Sequence, residues 1–396
     1  MFTCKINELE KKIDETVTDL TSKGLQPGHI LAVHLPTSLQ FISLLFASIR
    51  IGAIFAPLNL RLPETALQSQ LKQLNPKLFI SLSGIQIYSN NKPPLLPSSF
   101  LLFTSGSNGS PKLVNLSLDN LLSSAKSTIM ATNLQPRDTW LLSLPLYHVG
   151  GLSILFRCFL SGAALTTDPT NQSITHLSYV PTQLYRSWPI YPRLKTILLS
   201  GAPIHEVPEK LPIMAAYGMT ETASMILGQK KPIQKEGFIF LGLPHLGKQM
   251  SLSEDGEILV KGDSLFQGYW NGIELQKPEE WFPTNDLGLF DPTAGFAIVG
   301  RKDNQFISGG ENIQPEEIER ELLTHPTILD AIVVPKKDAE YGVRPVAFVR
   351  ASGEIDEKSL RNYLLERLPK YKIPCSFSPL EEGLEIKPSR KKYQSN

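Results

Sequence analysis

The chain has 396 residues, which exceeds the usual size of one domain, so two or three folding units are expected. A hydrophobic fraction of 41% and a charged fraction of 19% are typical of an ordinary soluble globular protein. The net charge of +1 lacks the basic excess of a nucleic-acid-binding protein, and Cys4, Cys158 and Cys375 lack the spacing of metal ligands, as expected for isolated thiols in a reducing cytoplasm.

The N-terminal part alternates helical and strand patterns. Apolar residues recur at helical spacing from Ile6 to Lys23, and a second helical pattern runs from Ser38 to Ile51. Short buried strands are predicted at His29 to His34 and at Ala53 to Pro57. This alternation predicts an α/β fold in which mostly parallel sheets are flanked by helices.

Neither the N-terminus nor the most apolar stretch is interpreted as a membrane-targeting segment. Lys5 to Glu15 is charged where a secretory signal would be apolar. Phe41 to Leu58 is apolar, but Arg50 interrupts it and Pro57 closes it. A buried helix followed by a strand is therefore predicted in place of a membrane span.

The strongest local signal is a loop of small and hydroxylated residues after an apolar strand predicted at Phe100 to Phe103. Glycines let the backbone approach a ligand closely, and consecutive N–H groups, hydroxyls and one lysine can then surround phosphate oxygens. A Walker A loop would end in Gly-Lys followed by a helix, so a P-loop NTPase is not predicted. A surface turn is the other interpretation. The candidate phosphate-binding residues are Thr104, Ser105, Gly106, Ser107, Asn108, Gly109 and Lys112.

The character of the chain changes after Gly300, where a small α+β pattern begins. Strands are predicted at Ile328 to Val334 and Pro345 to Val349, and a helix at Glu357 to Leu368. A domain boundary is therefore predicted near Arg301 to Asp303, which gives a large domain over 1–300 and a small one over 301–396.

The loop resembles the phosphate loop of the acyl-adenylate-forming superfamily, which includes the acyl-CoA synthetases, adenylation domains and luciferases. That family usually has two threonines where this chain has Ser107 and Asn108. Further motifs follow in the family's order, so the resemblance extends over nearly the whole chain. It implies an ATP-dependent, AMP-forming ligase with a large AMP-binding domain and a small, mobile C-terminal domain.

Two motifs resemble the family's nucleotide and metal sites. In Tyr217-Gly218-Met219-Thr220-Glu221 the resemblance implies an aromatic residue near adenine, a threonine at the α-phosphate and a glutamate that holds Mg²⁺. A carboxylate is a suitable hard ligand for Mg²⁺, which also keeps waters and binds phosphates. In Thr284-Asn285-Asp286-Leu287-Gly288 the aspartate is implied to accept hydrogen bonds from the ribose. Asn285 stands where the family has glycine, and Asn tolerates left-handed backbone geometry better than other non-glycine residues.

The region after Gly300 resembles the family's hinge and its glycine loop. Arg301 is implied to lie near the ribose, and Asp303 is implied to be the pivot about which the small domain rotates. Gly309 and Gly310 resemble the loop that lines the pantetheine tunnel for CoA after this rotation.

The tail resembles the segment that carries the family's catalytic lysine, which contacts the carboxylate and the α-phosphate during adenylation. The best match is Lys391, with Arg390 where the family usually has glycine; Lys392 and Lys387 are alternatives. A cation is needed where negative charge gathers on phosphorus, and losing one such donor typically costs roughly 10²–10³ in rate. A solvated basic tail is the other interpretation.

Segments in the middle of the chain narrow the choice of acid. Pro145 to Leu155 and Val180 to Leu184 resemble the o-succinylbenzoate–CoA ligases in particular, and Gly201 lies in a segment that resembles the floor of the acyl pocket. His148 is implied to lie between the acyl and CoA channels, the alternative being a core histidine with satisfied ring nitrogens. o-Succinylbenzoate has a second carboxylate, for which Arg186 is the candidate because Arg binds carboxylates in a bidentate manner. A surface arginine is the alternative.

The resemblance as a whole implies conversion of o-succinylbenzoate to its CoA thioester in menaquinone biosynthesis, with ATP, Mg²⁺ and CoA. Two alternatives stay open: another aryl- or acyl-CoA ligase, and a nucleotide-binding paralogue with little or no ligase activity. The altered phosphate loop and the irregular lysine motif favour the second alternative. A small-molecule acid is the expected partner, with no nucleic acid and no membrane span, and a homodimer is suggested only by the prevalence of twofold oligomers.

Overall fold

The computed structural model of the protein describes residues 3–4, 9–88, 93–94, 96, 98–104, 111–186, 190–201, 204, 207–338, 340–380, 390 and 393, and only the backbone of residues 3, 4, 182, 185 and 186. The helices are α1 Glu10–Ser22, α2 Leu39–Ile51, α3 Glu64–Leu74, α4 Leu118–Thr132, α5 Val149–Ser161, α6 Pro181–Arg186, α7 Pro315–Leu323 and α8 Glu357–Leu365. The strands are β1 Thr3–Cys4, β2 Ile30–His34, β3 Ile54–Pro57, β4 Leu78–Ser81, β5 Gly84–Ile87, β6 Phe100–Thr104, β7 Lys112–Leu116, β8 Thr139–Leu141, β9 Ala164–Thr166, β10 His176–Tyr179, β11 Thr196–Leu199, β12 Ile213–Met219, β13 Ser224–Lys230, β14 Ile233–Lys235, β15 Phe238–Phe240, β16 Lys248–Leu252, β17 Glu257–Gly262, β18 Gly268–Trp270, β19 Leu275–Gln276, β20 Phe282–Asp291, β21 Gly295–Arg301, β22 Phe306–Ser308, β23 Glu311–Ile313, β24 Ile328–Asp338, β25 Gly342–Ala351 and β26 Phe377–Pro379.

The most apolar stretch of the sequence forms a helix and a strand, as predicted. Helix α2 begins after Ser38, whose hydroxyl accepts a hydrogen bond from the backbone N–H of Phe41 at 3.2 Å. It ends at Gly52, whose backbone is left-handed with φ 75°. Strand β3 follows, and no helix in the described part of the chain is long and apolar enough to cross a membrane.

Two of the three large sheets have parallel centres. The first has the strand order β1-β9-β8-β10-β11-β12-β13 and is parallel from β9 to β12. The second has the order β19-β18-β7-β6-β3-β2-β4-β5 and is parallel from β6 to β4. The helices α2 to α5 alternate with the strands of these sheets, as a βαβ pattern requires.

The third large sheet corrects the prediction of mostly parallel sheets. Its order is β14-β15-β21-β20-β17-β16, and every neighbouring pair in it is antiparallel. Its strands lie within residues 233–301, where no α-helix separates them. Short connections can join only antiparallel neighbours, which explains the difference.

The main hydrophobic core lies between the two mixed sheets and their helices. Phe100 of β6 and Phe156 of α5 meet there edge to face, with ring centroids 5.7 Å apart. The C-terminal part has its own core, which joins α7 and α8 to the sheet β24-β25-β26. The helix and strands predicted after residue 328 are found in this part, with both strands longer than predicted. The domain boundary at residue 300 stays a prediction.

Candidate active site

Three side chains from two different sheets form a hydrogen-bonded set that contains the predicted ribose aspartate. Asp286 of β20 lies directly opposite Arg301 of β21, and Arg301 Nη1 donates to Asp286 Oδ1 at 3.0 Å. The hydroxyl of Tyr217, in β12, donates to Asp286 Oδ2 at 2.6 Å. Burial raises the pKa of Asp286, and the Arg301 charge opposes this rise. Burial also raises the pKa of Tyr217, so the phenol remains a donor.

The backbone around Asp286 is irregular, and this irregularity sets the direction of its side chain. Asn285 has φ 59°, the left-handed geometry that the sequence predicts for this position. Its N–H donates to Glu257 Oε1 at 2.8 Å, and the ladder between β17 and β20 shifts register beside Glu257. Thr284 Oγ1 accepts the N–H of Asp286 at 3.1 Å. Such interruptions of a ladder commonly re-aim a side chain near a site.

The predicted metal ligand Glu221 lies in the short 3-10 helix Thr220–Thr222. This helix directly follows β12, the strand that contains Gly218. It is buried, and its Oε1 accepts a hydrogen bond from the Tyr269 hydroxyl at 2.8 Å. Burial raises the pKa of Glu221, while Tyr269 and the positive charges of Lys112 and Arg301 oppose the rise.

Tyr269 is a site residue that the sequence did not reveal. It lies in β18, which pairs with β7, and Lys112 Nζ stands 4.7 Å from its ring centroid. Its phenol thus contacts the predicted metal ligand while its ring contacts the predicted phosphate lysine. The neighbours Gly268 and Trp270 carry no polar signal, so only strand pairing exposes this role.

The phosphate loop connects two antiparallel strands. Thr104, at the end of β6, pairs directly with Lys112, at the start of β7. The chain therefore leaves the loop in a strand, which agrees with the absence of a Walker A motif. The predicted residues Ser105, Gly106, Ser107, Asn108 and Gly109 lie outside the described residues.

Two cavities open at the carboxyl end of β8, where parallel strands commonly present ligand sites. One, of about 310 Å³, is lined by residues 35–37, Arg61 and 142–147, which adjoin His148. The other, of about 320 Å³, includes Tyr179 and Gln183. His148 immediately precedes α5, and loss of solvation together with the Arg61 charge lowers the pKa of its imidazole.

The remaining acyl-pocket candidates are placed only in part. Gly201 follows β11 and has φ 84°. Arg186 is the last residue of α6, and its side chain lies outside the described part of the structure.

A buried basic cluster among α5, β13 and β16 is a second feature that the sequence did not reveal. Arg157 of α5 is 1% exposed; its Nη2 donates to Ser224 Oγ at 3.0 Å, and its guanidinium stands 5.1 Å from the Trp140 ring. Its Nε and Nη1 have no hydrogen-bond partner among the described residues. Burial lowers the pKa of Arg157 to about 10, which leaves it charged at neutral pH. The available signal was an arginine within the apolar run of α5.

Lys248 is a second buried basic residue near Arg157. Its Nζ donates to the Met225 carbonyl, one residue from the serine that Arg157 contacts. Burial first, and the Arg157 charge second, lower the pKa of Lys248 to about 7.

The predicted hinge residue Asp303 and the predicted glycine loop both lie within the described part of the chain. Asp303 accepts two hydrogen bonds from Arg301, from Nε and Nη2, each at 3.1 Å. Gly309 and Gly310 form the turn between β22 and β23, with φ 57° and 89°. Positive φ at both turn positions is what a tight hairpin requires, and glycine adopts it without strain.

The tail is described only at Arg390 and Tyr393, so the predicted lysine Lys391 and its alternatives Lys392 and Lys387 lie outside the described residues. Arg390, which the sequence aligned with a glycine, forms a bidentate pair with Glu319, at 2.6 and 2.7 Å. Tyr393 is buried against Phe348, with ring centroids 4.7 Å apart. The side chain of Arg390 therefore forms part of the ion pairing of the small C-terminal part, a contact that a glycine at this position could not make.

Comparison with known proteins identifies the family. A family model described as AMP-binding enzyme matches residues 6–98 and 86–270, and the model of its C-terminal domain matches residues 317–391. A 2-succinylbenzoate–CoA ligase of Haemophilus influenzae is 34% identical over 97% of this chain and 90% of its own length. The corresponding ligase of Escherichia coli is 32% identical over 96% of this chain and 89% of its own length.

Solved structures agree in fold. A variant of E. coli MenE with bound OSB-AMS superimposes with a TM-score of 0.81 at 28% identity, covering 97% of this chain and 90% of that one. The o-succinylbenzoate CoA synthetase of Bacillus subtilis, in complex with its acyl-adenylate intermediate, gives 0.82 at 26% identity, covering 95% and 89%. The motifs, the fold and the family models agree, and the chain belongs to the AMP-binding enzyme family.

Proposed function

We propose that this protein is an ATP-dependent, AMP-forming ligase that joins o-succinylbenzoate to CoA through an acyl-adenylate, the step required in menaquinone biosynthesis. The observation that carries the proposal is the convergence of Tyr217, Asp286 and Arg301 in one hydrogen-bonded set, with the buried Glu221 nearby. The acid is inferred from the relatives, which are 2-succinylbenzoate–CoA ligases.

The nucleotide would be held by groups that are already oriented. Asp286 accepts hydrogen bonds from Tyr217 and Arg301, which fixes its carboxylate for the two ribose hydroxyls. The ring of Tyr217 and the backbone of Gly218 would lie against adenine, with Thr220 at the α-phosphate. Thr104 to Gly109 and Lys112 would surround the outer phosphates.

Glu221 is a suitable protein ligand for a Mg²⁺ ion that would bind together with ATP. It is a buried carboxylate with a raised pKa, and no group of three or more His, Cys, Asp or Glu side chains in the described residues could hold a metal by itself. One protein carboxylate fits Mg²⁺, which keeps waters and binds substrate phosphates. When bound, the metal supplies positive charge that offsets charge developing on the phosphates. Tyr269 donates to Glu221 and so orients its carboxylate.

The reaction has two halves. A carboxylate oxygen of the acid attacks the α-phosphorus, the bond to the bridging oxygen breaks, and pyrophosphate leaves. Lys391 would stabilise the charge on the pentavalent phosphorus. The sulfur of deprotonated CoA then attacks the acyl carbon, and AMP leaves.

Between the halves, the small domain would rotate about Asp303. This rotation would withdraw Lys391 and bring Gly309 and Gly310 to the thiol channel beside His148. A cytoplasmic location and a homodimer belong to the same proposal, and light scattering of the purified protein tests the second.

Two arginines compete for the second carboxylate of o-succinylbenzoate. Arg186 follows the segment that resembles the o-succinylbenzoate–CoA ligases. Arg157 is buried and charged, and its Nε and Nη1 have no partner among the described residues, so a carboxylate that reached it would complete its hydrogen bonding. Arg157 lines neither of the two cavities, so both arginines stay candidates. Replacing each arginine by alanine separates them, because only the true ligand raises KM for o-succinylbenzoate far more than KM for ATP.

Release of pyrophosphate tests the proposed function. The purified protein is incubated with Mg·ATP, CoA and a panel of carboxylic acids that includes o-succinylbenzoate. Strong, CoA-dependent turnover with o-succinylbenzoate alone is expected. Turnover only with other acids would refute the substrate and retain the mechanism, and ATP binding without turnover on any acid would indicate a nucleotide-binding paralogue.

A further inference from the structure

Arg390 connects the C-terminal tail to two elements of the small C-terminal part. Its guanidinium pairs with both oxygens of Glu319 on α7, donates to the Val333 carbonyl on β24 at 2.6 Å, and pairs with Glu316 at 2.9 Å. The arginine side chain is 18% exposed, and both glutamate side chains are 8% exposed. A planar guanidinium with this many acceptors is fixed in direction as well as in position.

Glu316 also contacts the predicted hinge. Glu316 accepts hydrogen bonds from Asn304, at 2.5 Å, and from Gln314. Gln314 Nε2 also donates to the backbone carbonyl of Arg301 at 3.0 Å. A Cβ on Gly300 would lie 2.6 Å from Gln314 Nε2, so this close contact requires glycine there.

These contacts form one continuous path from the tail to the nucleotide site. It runs from Arg390 through Glu316 to Gln314 and from Gln314 to the backbone carbonyl of Arg301, and Asn304 is a side branch at Glu316. The side chain of Arg301 then reaches Asp286. Glu316 is buried where the path branches.

We propose that Arg390 is a positioning residue for adenylation: it holds the tail on α7 and β24 so that the tail's lysine meets the nucleotide bound at Asp286. This inference rests on the proposed function. Burial of Tyr393 anchors the tail at one further point, and the ion pairs of Arg390 set the direction in which the tail lies on α7 and β24. The proposed contribution of these pairs is orientation, since a buried ion pair is weak evidence for stability.

Half-reactions test this role, because a merely structural residue would affect both equally. Adenylation is measured as o-succinylbenzoate-dependent exchange of labelled pyrophosphate into ATP. Thioester formation is measured from prepared o-succinylbenzoyl-AMP and CoA. The variants are Arg390→Lys, which keeps a cation but loses the planar fork, and Glu316→Gln, which weakens the link to residue 304 while leaving the Glu319 pair. Arg350→Lys is the matched control, because Arg350 pairs with Asp330 on the same strand β24 at 3.0 Å.

Arg390→Lys should lower the exchange rate roughly 10- to 10²-fold and change thioester formation by less than about twofold, because only adenylation needs the tail in place. Glu316→Gln should lower exchange in the same selective way, and it carries the test if Arg390→Lys fails to fold. Arg350→Lys should leave both rates unchanged. Separate alanine variants of Lys387, Lys391 and Lys392 then identify the lysine that shares the selective loss.

Two results would overturn the inference alone: exchange by Arg390→Lys at the rate of the unmodified protein, or an equal fall of both half-reactions. Absence of exchange by the unmodified protein would be a different result, because it would refute the proposed function and the inference together.

Discussion

Arg157 is 1% exposed and the side chain of Arg390 is 18% exposed, but only Arg390 has carboxylate partners among the described residues. Arg390 meets two carboxylates and a backbone carbonyl. Arg157 meets one serine hydroxyl and an aromatic ring, and two of its N–H groups stay without partners in the described structure. A buried charge that folding leaves unpaired is costly, whereas a fully paired one is part of the framework. The difference separates a guanidinium whose partners hold two elements together from one that keeps unused hydrogen-bonding capacity inside the protein.

Removal of the paired arginine should have the largest effect on stability. Arg390→Met leaves Glu319 and Glu316 buried without their cation, which typically costs about 3–5 kcal/mol. Burial already raises the pKa of Glu319 to about 7, and loss of the arginine raises it further. A carboxyl with a raised folded pKa stabilises most when protonated, so the deficit of the variant should increase as the pH rises. Urea unfolding at several pH values measures both effects.

The matched control is Arg350→Met, which removes a more exposed pair and should cost less than about 1 kcal/mol. Equal losses in the two variants would contradict the interpretation of Arg390.

Removal of the unpaired arginine should affect the substrate more than the fold. Arg157→Met removes a buried charge that lacks a carboxylate partner, so the free energy of unfolding should change by less than about 1 kcal/mol or rise. If Arg157 rather than Arg186 binds the second carboxylate, KM for o-succinylbenzoate should rise roughly 10- to 10²-fold, the loss of one charged hydrogen bond, while KM for ATP stays unchanged. Steady-state kinetics and urea unfolding of the same preparation test this, and a stability loss as large as that of Arg390→Met would contradict it.

A third test concerns the cation beside Arg157. Burial lowers the pKa of Lys248 from 10.5 to about 7, so the unfolded chain binds more protons than the folded one between these values. Stability should therefore rise with pH across that window. Lys248→Met should reduce this rise, and Arg157→Met should also reduce it, because the Arg157 charge contributes to the shift. An unchanged pH profile in Lys248→Met would contradict the assignment.

The smallest effect is expected at an exposed cluster near the hinge. Lys302 pairs with Asp255 and Glu257, each at 2.7 Å, but its side chain is 38% exposed. Lys302→Gln should lower the free energy of unfolding only slightly, and less again in high salt. Thermal unfolding at two salt concentrations measures this, with Lys261→Gln as a control for another exposed pair. A loss comparable to that of Arg390→Met would show that exposure does not distinguish these pairs.

Local sequence patterns predicted the elements that depend on local physics. Helix α2 needed only its apolar helical pattern, and it was found within one residue of the predicted range. Asn285 needed only the backbone preference of its residue type, and its φ of 59° confirms the prediction. The turn at Gly309 and Gly310 follows the same rule.

Features that depend on tertiary contacts were not predictable in this way. Tyr269 reaches Glu221 because β18 pairs with β7, and neither strand contains that information by itself. In the sequence, Arg157 is one charged residue within an apolar helix. Only the folded structure shows that it has no acidic partner among the described residues. Arg390 was aligned with a glycine by motif spacing, although its side chain is what the fold uses. The antiparallel third sheet likewise follows from connections whose geometry the strand patterns do not contain.

Arg301 divides one guanidinium between two carboxylates with different tasks, Asp286 on the nucleotide side and Asp303 in the predicted hinge. A ligand that changed the hydrogen bonding of Asp286 would therefore change the balance at Asp303, and the proposed rotation at Asp303 would change the affinity for a ligand at Asp286. Thermodynamic reciprocity would require the two effects to be equal in magnitude. Under the proposed function, nucleotide occupancy and domain orientation would thus be coupled in one equilibrium through a single side chain.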